Sequence, residues 1–247
     1  YIGEGLFMLE RKGRFGAIEG GVDCFAVGVE ESHGVLVTPA VRDKDAAGGA
    51  LVLAELAAQE RKTNRTLIDV LHDLMIRHGA VHNRLSSLAM TGAAGRAQMD
   101  AAMASLRAHP PAKIGDQCVV RMEDRQDESG VFGPIHSPTD RASRNVLVFA
   151  LDGGARLIVR PSGTEPRCKI YVETTADVGG DLILLRRRLM VEAKALANAF
   201  THLVLDRIGI NLPDWALEIS DMVSIEDRLR WCNELIPELT TVVDTAP

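Results

Sequence analysis

The segment "RLIVRPSGTEPRCKIYVET", from Arg156 to Thr174, contains two apolar runs that predict two β-strands. The runs are Leu-Ile-Val at 157–159 and Ile-Tyr-Val at 170–172, which are rich in β-branched and aromatic residues. The connection between them is "RPSGTEP", residues 160–166. A hairpin turn needs only two to five residues with Gly or Asn at the bend. The arginine, the two hydroxyl residues and the two prolines therefore need another explanation.

This connection has the composition of an oxyanion site. Gly163 allows the backbone to turn so that successive N–H groups converge, and Ser162 and Thr164 add hydroxyl donors. Arg160 adds a planar guanidinium that can bind two oxygens at once. The prolines restrict the loop before a ligand binds, which lowers the entropic cost of binding. Phosphate is the expected ligand, and the alternative is a stiff surface hairpin with a solvated arginine.

The order of the predicted elements indicates an α/β region followed by an α+β domain with a small antiparallel sheet and helices. The first region, 1–91, has helical patterns and a strand predicted in "VDCFAVGVEES". Prolines at the end of the next helix help to place the domain boundary after residue 91. The second domain, 92–206, contains several strands and then a long helix near 182–206. A helical extension is predicted for 207–247.

Composition excludes several classes of protein. The 247 residues carry a net charge of −6, which argues against a general nucleic-acid-binding protein. The four cysteines form no C-x-x-C pair, which favours reduced thiols in the cytoplasm over a zinc cluster or a disulfide framework. No apolar run is long enough to predict a membrane partner. Because the chain begins with Tyr1 and in the middle of a helical pattern, we expect it to be a piece of a longer protein.

The "RPSGTEP" loop, followed by a lysine and "YVE", resembles the phosphate-binding loop of the α-D-phosphohexomutase superfamily, the phosphoglucomutases and phosphomannomutases. In that family the loop lies in the last of four domains and binds the phosphate that is not reacting. The resemblance implies phosphate-binding roles for Arg160, Ser162, Gly163 and Thr164. It covers roughly residues 1–205, so 1–91 would be the later part of the third domain and 92–206 the fourth.

A second resemblance lies in "GVEESHG", residues 28–34, which is similar to the family's sugar-binding loop. It implies that Glu30 and Ser32 contact sugar hydroxyls, for which a carboxylate and a serine are suited. His33 is a possible further contact. Taken alone, this stretch is equally compatible with an acidic turn.

The third stretch is "VRDKDA", residues 41–46, and it resembles a segment that follows the sugar loop in the phosphoglucomutase branch. Lys44 and then Arg42 are the candidates for contact with the substrate. The alternative is that Asp43 or Asp45 only caps the next helix.

The family transfers a phosphoryl group from a phosphoserine on its first domain, with Mg²⁺ held by an Asp-x-Asp-x-Asp loop on its second. Neither motif occurs here, so we expect no catalytic residue and no metal ligand in this chain. The resemblance implies the phosphosugar-recognition half of an isomerase that interconverts hexose 1- and 6-phosphates through a glucose 1,6-bisphosphate-type intermediate, most of all a phosphoglucomutase. Alone it would be inactive, and its partners would be the N-terminal half and a phosphorylated hexose or pentose. The alternatives are phosphomannomutase or phosphopentomutase specificity, or a non-catalytic phosphosugar-binding module.

Overall fold

The computed structural model describes residues 2–30, 34–130, 132–162 and 165–245. The chain divides into two compact units, residues 1–74 and 75–247. None of the helices in the described ranges combines the length and the apolar character that a membrane span requires. The first unit contains α1 (Ile2–Lys12), β1 (Arg14–Phe15), β2 (Ile18–Glu19), a 3₁₀ turn (Val22–Cys24), β3 (Gly28–Glu30), β4 (Gly34–Leu36), α2 (Ala46–Arg61) and most of α3 (Leu67–His78).

In the first unit, short antiparallel hairpins alternate with helices. Strand β1 pairs with β2, and β3 pairs with β4. A strand was predicted at 22–32. Among the described residues of that range, only β3 is a strand, because the beginning of the range forms the 3₁₀ turn. Helices α2 and α3 leave large apolar side chains exposed, Leu53 and Ile68 among them, and Gly49 is the buried residue of α2.

The second unit is built around a six-stranded sheet in the order β5-β10-β9-β8-β7-β6, with antiparallel neighbours throughout. This confirms the predicted α+β class with an antiparallel sheet and helices. Its elements are β5 (Ala80–Ala89), α4 (Gly92–Ala108), β6 (Lys113–Ile114), β7 (Gln117–Asp124), α5 (Pro138–Ser143), β8 (Leu147–Leu151), β9 (Arg156–Pro161), β10 (Arg167–Ala176), α6 (Leu182–Asp206), α7 (Asp214–Leu217), α8 (Ile225–Arg230), a π-helical turn (Trp231–Leu235) and α9 (Ile236–Thr245).

Alternation along β10 determines which face of the sheet is buried. Its even-numbered residues from 168 to 174 are buried, and the odd-numbered ones are not. The buried face packs on α6, where the hydroxyl of Thr174 donates to the carbonyl of Leu189 at 3.0 Å. Helix α6 contributes an apolar stripe at spacings of three and four residues, including Leu196 and Phe200. The opposite face carries Arg160, Lys169 and the other half-buried polar residues.

The compact units differ from the division expected at residues 91 and 92. Strand β5 precedes that point, yet it pairs with β10 along its whole length, from Ala80 to Ala89. The segment predicted as a helical extension, 207–247, contributes Ile210, Leu212 and Ile225 to the core of the second unit. Strand pairing, which brings together distant parts of the chain, is the reason that β5 lies in the second unit.

Candidate functional site

The "RPSGTEP" connection joins β9 to β10 at one end of the sheet. The two strands pair up to Pro161 and Cys168, so the loop starts from a hydrogen-bonded base. The carbonyl of Pro166, at the end of the loop, accepts a hydrogen bond from the amide of Met90 at 2.9 Å. This bond attaches the loop to the end of β5. Gly163 and Thr164, both expected to bind phosphate, lie outside the described residues. The base of the loop is therefore held by two neighbouring strands.

Arg160 lies next to this loop as the penultimate residue of β9. Its side chain is half-buried, and its Nε is buried without a hydrogen-bond partner. The guanidinium carbon is 6.0 Å from the centre of the Tyr171 ring, at the limit of a cation–π contact. Lys169 occupies the directly opposite position on β10. Within the described ranges neither cation forms an ion pair with a carboxylate, so the site presents two uncompensated positive charges on one face.

Ser162 has a different arrangement from the one expected for a phosphate donor. Its side chain is buried, and its amide already donates to the carbonyl of Arg167 at 2.7 Å. Its Oγ accepts from the amide of Glu165 at 3.3 Å. The backbone amide at 162 is thus used to close the loop, because residues 162 and 167 continue the β9–β10 pairing. The hydroxyl proton of Ser162 is the group left to donate.

Arg167, at the start of β10, is held in place by the protein. Its guanidinium donates to the carbonyl of Asp221 at 3.0 Å and to Ser87 Oγ at 3.4 Å. The Glu165 carboxylate lies 3.7 Å from Arg167 Nε, so this acid pairs with an arginine. Of the cations near the loop, Arg167 is engaged, whereas Arg160 and Lys169 are not.

In the first unit, Glu30, Arg42 and Lys44 line one small cavity of about 90 Å³, together with Gly34 and Asp43. The cavity forms because the β3–β4 hairpin and the segment before α2 are adjacent: the amide of Asp45 donates to the carbonyl of Val35 at 2.8 Å. Ser32 and His33, the other residues expected to contact sugar, lie outside the described residues.

Lys44 is the most strongly paired of these residues. Its ammonium is 3.3 Å from Asp43 Oδ1 and 3.8 Å from Glu30 Oε2. The hydrogen bond to Asp43 and the charges of both carboxylates raise the pKa of Lys44. In return, the backbone amide and the ammonium of Lys44 lower the pKa of Asp43. The cavity therefore combines a protonated lysine with carboxylates that can accept hydrogen bonds from a polar ligand.

The two remaining charges of "VRDKDA" are used differently. The guanidinium Nη2 of Arg42 lies 3.4 Å from the carboxylate Oε2 of Glu10 on α1, so these two residues form an ion pair. Asp45 is the N-cap of α2, where its Oδ1 accepts from the amide of Gly48 at 2.9 Å. Of the two aspartates considered for capping, it is thus Asp45 that caps the helix.

Comparison with known proteins finds matches to one family. Residues 112–180, which include the loop, match the family described as "Phosphoglucomutase/phosphomannomutase, C-terminal domain". The chain is similar to this C-terminal domain over those residues. It is 36% identical over 155 residues to a protein described as a probable phosphomannomutase of Haemophilus influenzae, covering 62% of this chain and 29% of that protein. It is 31% identical over 155 residues to a phosphoglucomutase of Staphylococcus epidermidis, covering 62% of this chain and 28% of that one.

The chain thus spans between a quarter and a third of the length of these curated relatives. Among solved structures, the open form of the exocytosis-sensitive phosphoprotein pp63/parafusin, a phosphoglucomutase from Paramecium, matches at 16% identity with a TM-score of 0.43. That match covers 74% of this chain and 31% of the Paramecium protein.

Two residues near the "RPSGTEP" loop, Lys169 and Arg167, were not predicted from the sequence as parts of the site. Lys169 shares the face of Arg160, and the alternation of β10 is the signal that could have identified it. Arg167 is held by Asp221, 54 residues along the chain, for which the sequence has no signal. Cys168 lies between them but faces the core, where burial raises the pKa of its thiol to about 12. It is thus not an available nucleophile.

The family resemblance implies Mg²⁺, so the acidic and metal-binding side chains are relevant. In the ranges that the structure describes, no three His, Cys, Asp or Glu residues are grouped closely enough to hold a metal ion.

Proposed function

We propose that this chain is the phosphosugar-recognition part of a phosphohexomutase of the phosphoglucomutase type, which interconverts hexose 1-phosphate and hexose 6-phosphate. The observation that carries the proposal is Arg160. A buried guanidinium nitrogen without a partner, next to a loop rich in hydroxyl and amide donors, is the arrangement expected where an oxyanion binds. The family match of residues 112–180 includes this loop.

In this proposal Arg160 and Lys169 bind the phosphate that does not react. Like charges directly opposite in a sheet repel each other, so the pair is unfavourable without an anion between the two side chains. A bound phosphate dianion would compensate both charges and accept hydrogen bonds from Arg160 Nε and the Ser162 hydroxyl. Gly163 and Thr164 remain candidates for the remaining donors.

The sugar ring is assigned to the first unit. Glu30 can accept hydrogen bonds from neighbouring sugar hydroxyls, and Lys44 can donate to a hydroxyl or to a phosphate oxygen. Ser32 and His33 are proposed as further contacts, and Arg42 as a possible one. The group that transfers phosphate is not assigned to any residue of this chain.

The remainder of a longer protein is proposed as the partner of this chain, and the cytoplasm as its location. The length of the relatives supports the first point, because they extend well beyond the matched region. The exposed apolar side chains of the first unit, such as Leu53 and Ile68, support it too, since such residues are normally covered. The free cysteines support the proposed location in the cytoplasm. We expect the chain alone to bind phosphosugars without converting them, and Mg²⁺ to act through residues of the other part.

The test compares Arg160→Gln with Arg156→Gln by calorimetric titration of glucose 1-phosphate and glucose 6-phosphate. Arg156 is a matched control: it lies on the same strand and the same face, but it is paired with Glu173 at 3.0 Å. Loss of the charge-assisted hydrogen bonds of Arg160 should weaken binding by about 1.5–3 kcal/mol, whereas Arg156→Gln should leave it unchanged. Equal affinities for wild type and Arg160→Gln would place the phosphate elsewhere.

Specificity requires the longer protein. We expect its mutase activity to be higher with glucose 1-phosphate than with mannose 1-phosphate or ribose 1-phosphate. Phosphomannomutase or phosphopentomutase specificity would reverse that order. A non-catalytic phosphosugar-binding module, the other alternative, would bind these compounds and convert none of them.

A further inference from the structure

A second polar cavity lies in the second unit, along the open edge of the sheet. Strand β5 is the edge strand, and beyond its partner β10 it is bridged only near Ala89, by Ser224, among the described residues. The cavity occupies about 220 Å³ next to this edge. It is closed by three groups of residues: 84–88 of β5, Asn198 and Thr201 of α6, and the segment 217–221 with Arg228. Arg160 and Ser162 are not among the residues that line it.

Arg84 is the first indication that this cavity binds a ligand. It is paired with Val172 across the sheet, so it points to the face that packs on α6. Its Nε is buried, and it has no hydrogen-bond partner in the part of the chain that the structure describes. A buried donor without an acceptor costs about 1–3 kcal/mol, so it is normally retained where an acceptor is supplied.

The arrangement of charges around the cavity is the second indication. Its two carboxylates are already paired: Glu218 with Lys194 at 2.9 Å, and Asp221 with Arg167 at 3.9 Å. Arg84 has no carboxylate within ion-pair distance among the described residues. Because both carboxylates are engaged by cations outside the cavity lining, Arg84 keeps the capacity to bind an added anion.

Arg228 is the second arginine of the cavity wall. Its side chain is buried, and its guanidinium donates to the carbonyls of Ala216 and Ser220, each at 3.0 Å, and of Val223 at 3.2 Å. These carbonyls accept three of its hydrogen bonds but do not neutralise its charge. Desolvation lowers the pKa of Arg228, and the charge of Asp221 opposes that shift only in part.

We propose that this cavity is a second anion site that binds a small oxyanion, with Arg84 as its principal contact. Ser86 and Thr201 line the same space, and their hydroxyl groups can donate to further oxygens. The volume is below the range of about 300–1,000 Å³ that is typical of pockets for drug-sized ligands. Inorganic phosphate and a small carboxylate share the required chemistry.

The proposal can be tested by calorimetric titration of the chain with inorganic phosphate and, separately, with acetate. For Arg84→Gln we expect the loss of one phosphate site, or a decrease of its affinity by about tenfold or more. The matched control is Arg96→Gln, an exposed arginine on α4 that is 3.6 Å from Asp100, which should change nothing. The Arg160→Gln variant should keep the Arg84 site, so the two sites and the two proposals are tested separately.

A second variant distinguishes loss of the anion site from a loss of stability caused by Arg84→Gln. Ser86→Asp places a carboxylate on the same face of β5, two residues from Arg84, and supplies the partner that the arginine lacks. We expect this variant to unfold at a urea concentration equal to or higher than that of wild type and to lose the site. Tighter binding of phosphate than acetate would identify a phosphate-type ligand, and the reverse order a carboxylate. Retention of the site in both variants, or binding of neither anion by wild type, would overturn the proposal.

Discussion

Replacement of Arg228 by methionine is expected to destabilise the C-terminal segment of the second unit. The Arg228 side chain is 2% exposed, and its three hydrogen bonds are to the carbonyls of Ala216, Ser220 and Val223. The carbonyl of Ala216 belongs to α7, and those of Ser220 and Val223 belong to the segment between α7 and α8, so one guanidinium binds both. Methionine has a similar length and can fill the volume, but it donates no hydrogen bond.

The magnitude follows from these three contacts. A hydrogen bond to a charged group contributes about 1.5–3 kcal/mol, so three would contribute roughly 4.5–9 kcal/mol. Burial of a guanidinium without a carboxylate costs several kcal/mol, and an apolar substitute avoids that cost. We therefore expect Arg228→Met to lower the free energy of unfolding by about 2–4 kcal/mol. This is a large part of the total of about 5–15 kcal/mol that is typical of a folded protein.

The assay is urea unfolding followed by tryptophan fluorescence, because Trp215 and Trp231 lie on either side of this segment. The control is Arg230→Met, two residues away on α8, where an exposed arginine is 3.3 Å from Glu234. Exposed pairs of this kind contribute little, so the control should remain within about 0.5 kcal/mol of wild type. An Arg228→Met variant as stable as this control would refute the reasoning, since the three hydrogen bonds would then contribute no net stability.

Two further predictions concern ionisable groups. Burial raises the pKa of Cys168 from 9.0 to about 12, so the unfolded chain loses this proton first and stability should fall as the pH rises from 9 towards 12. Cys168→Ala should make that decline less steep by up to about 1.4 kcal/mol per pH unit, and equal slopes in urea unfolding of both proteins would contradict this. Lys44→Gln should weaken glucose 1-phosphate binding several-fold and equally between pH 6 and 9, because the raised pKa of Lys44 keeps it protonated there. Lys62→Gln, at the exposed end of α2, is the control, and a loss that varied with pH would be inconsistent with a permanently charged Lys44.

Much of the secondary structure could be predicted because it depends on local patterns. Helix α6 was predicted near 182–206 and occupies Leu182–Asp206, since its apolar residues recur at helical spacing after the Asp181 cap. The strands on either side of "RPSGTEP" follow from their β-branched residues. By contrast, local pattern could not decide between Asp43 and Asp45 as the cap of α2.

The candidate site was predictable in its residue types but not in its hydrogen bonds. The loop composition identified Arg160 and Ser162, and the structure leaves Arg160 Nε without a partner, consistent with the predicted role. It uses the Ser162 amide to close the loop, because strand register, a property of two strands together, decides which amides are paired. The roles of Gly163 and Thr164 remain predictions.

By itself, the sequence determined the identity of the long elements and predicted an oxyanion-binding loop, because both depend on residues that are close together in the chain. Only the tertiary structure decided that β5 joins the sheet of the second unit and that Arg84 and Arg228 line one cavity. Those two arginines are 144 positions apart, from 84 to 228, and each has an ordinary local context. Burial of their guanidinium groups beside one cavity distinguishes them, and this property arises only when distant segments pack together.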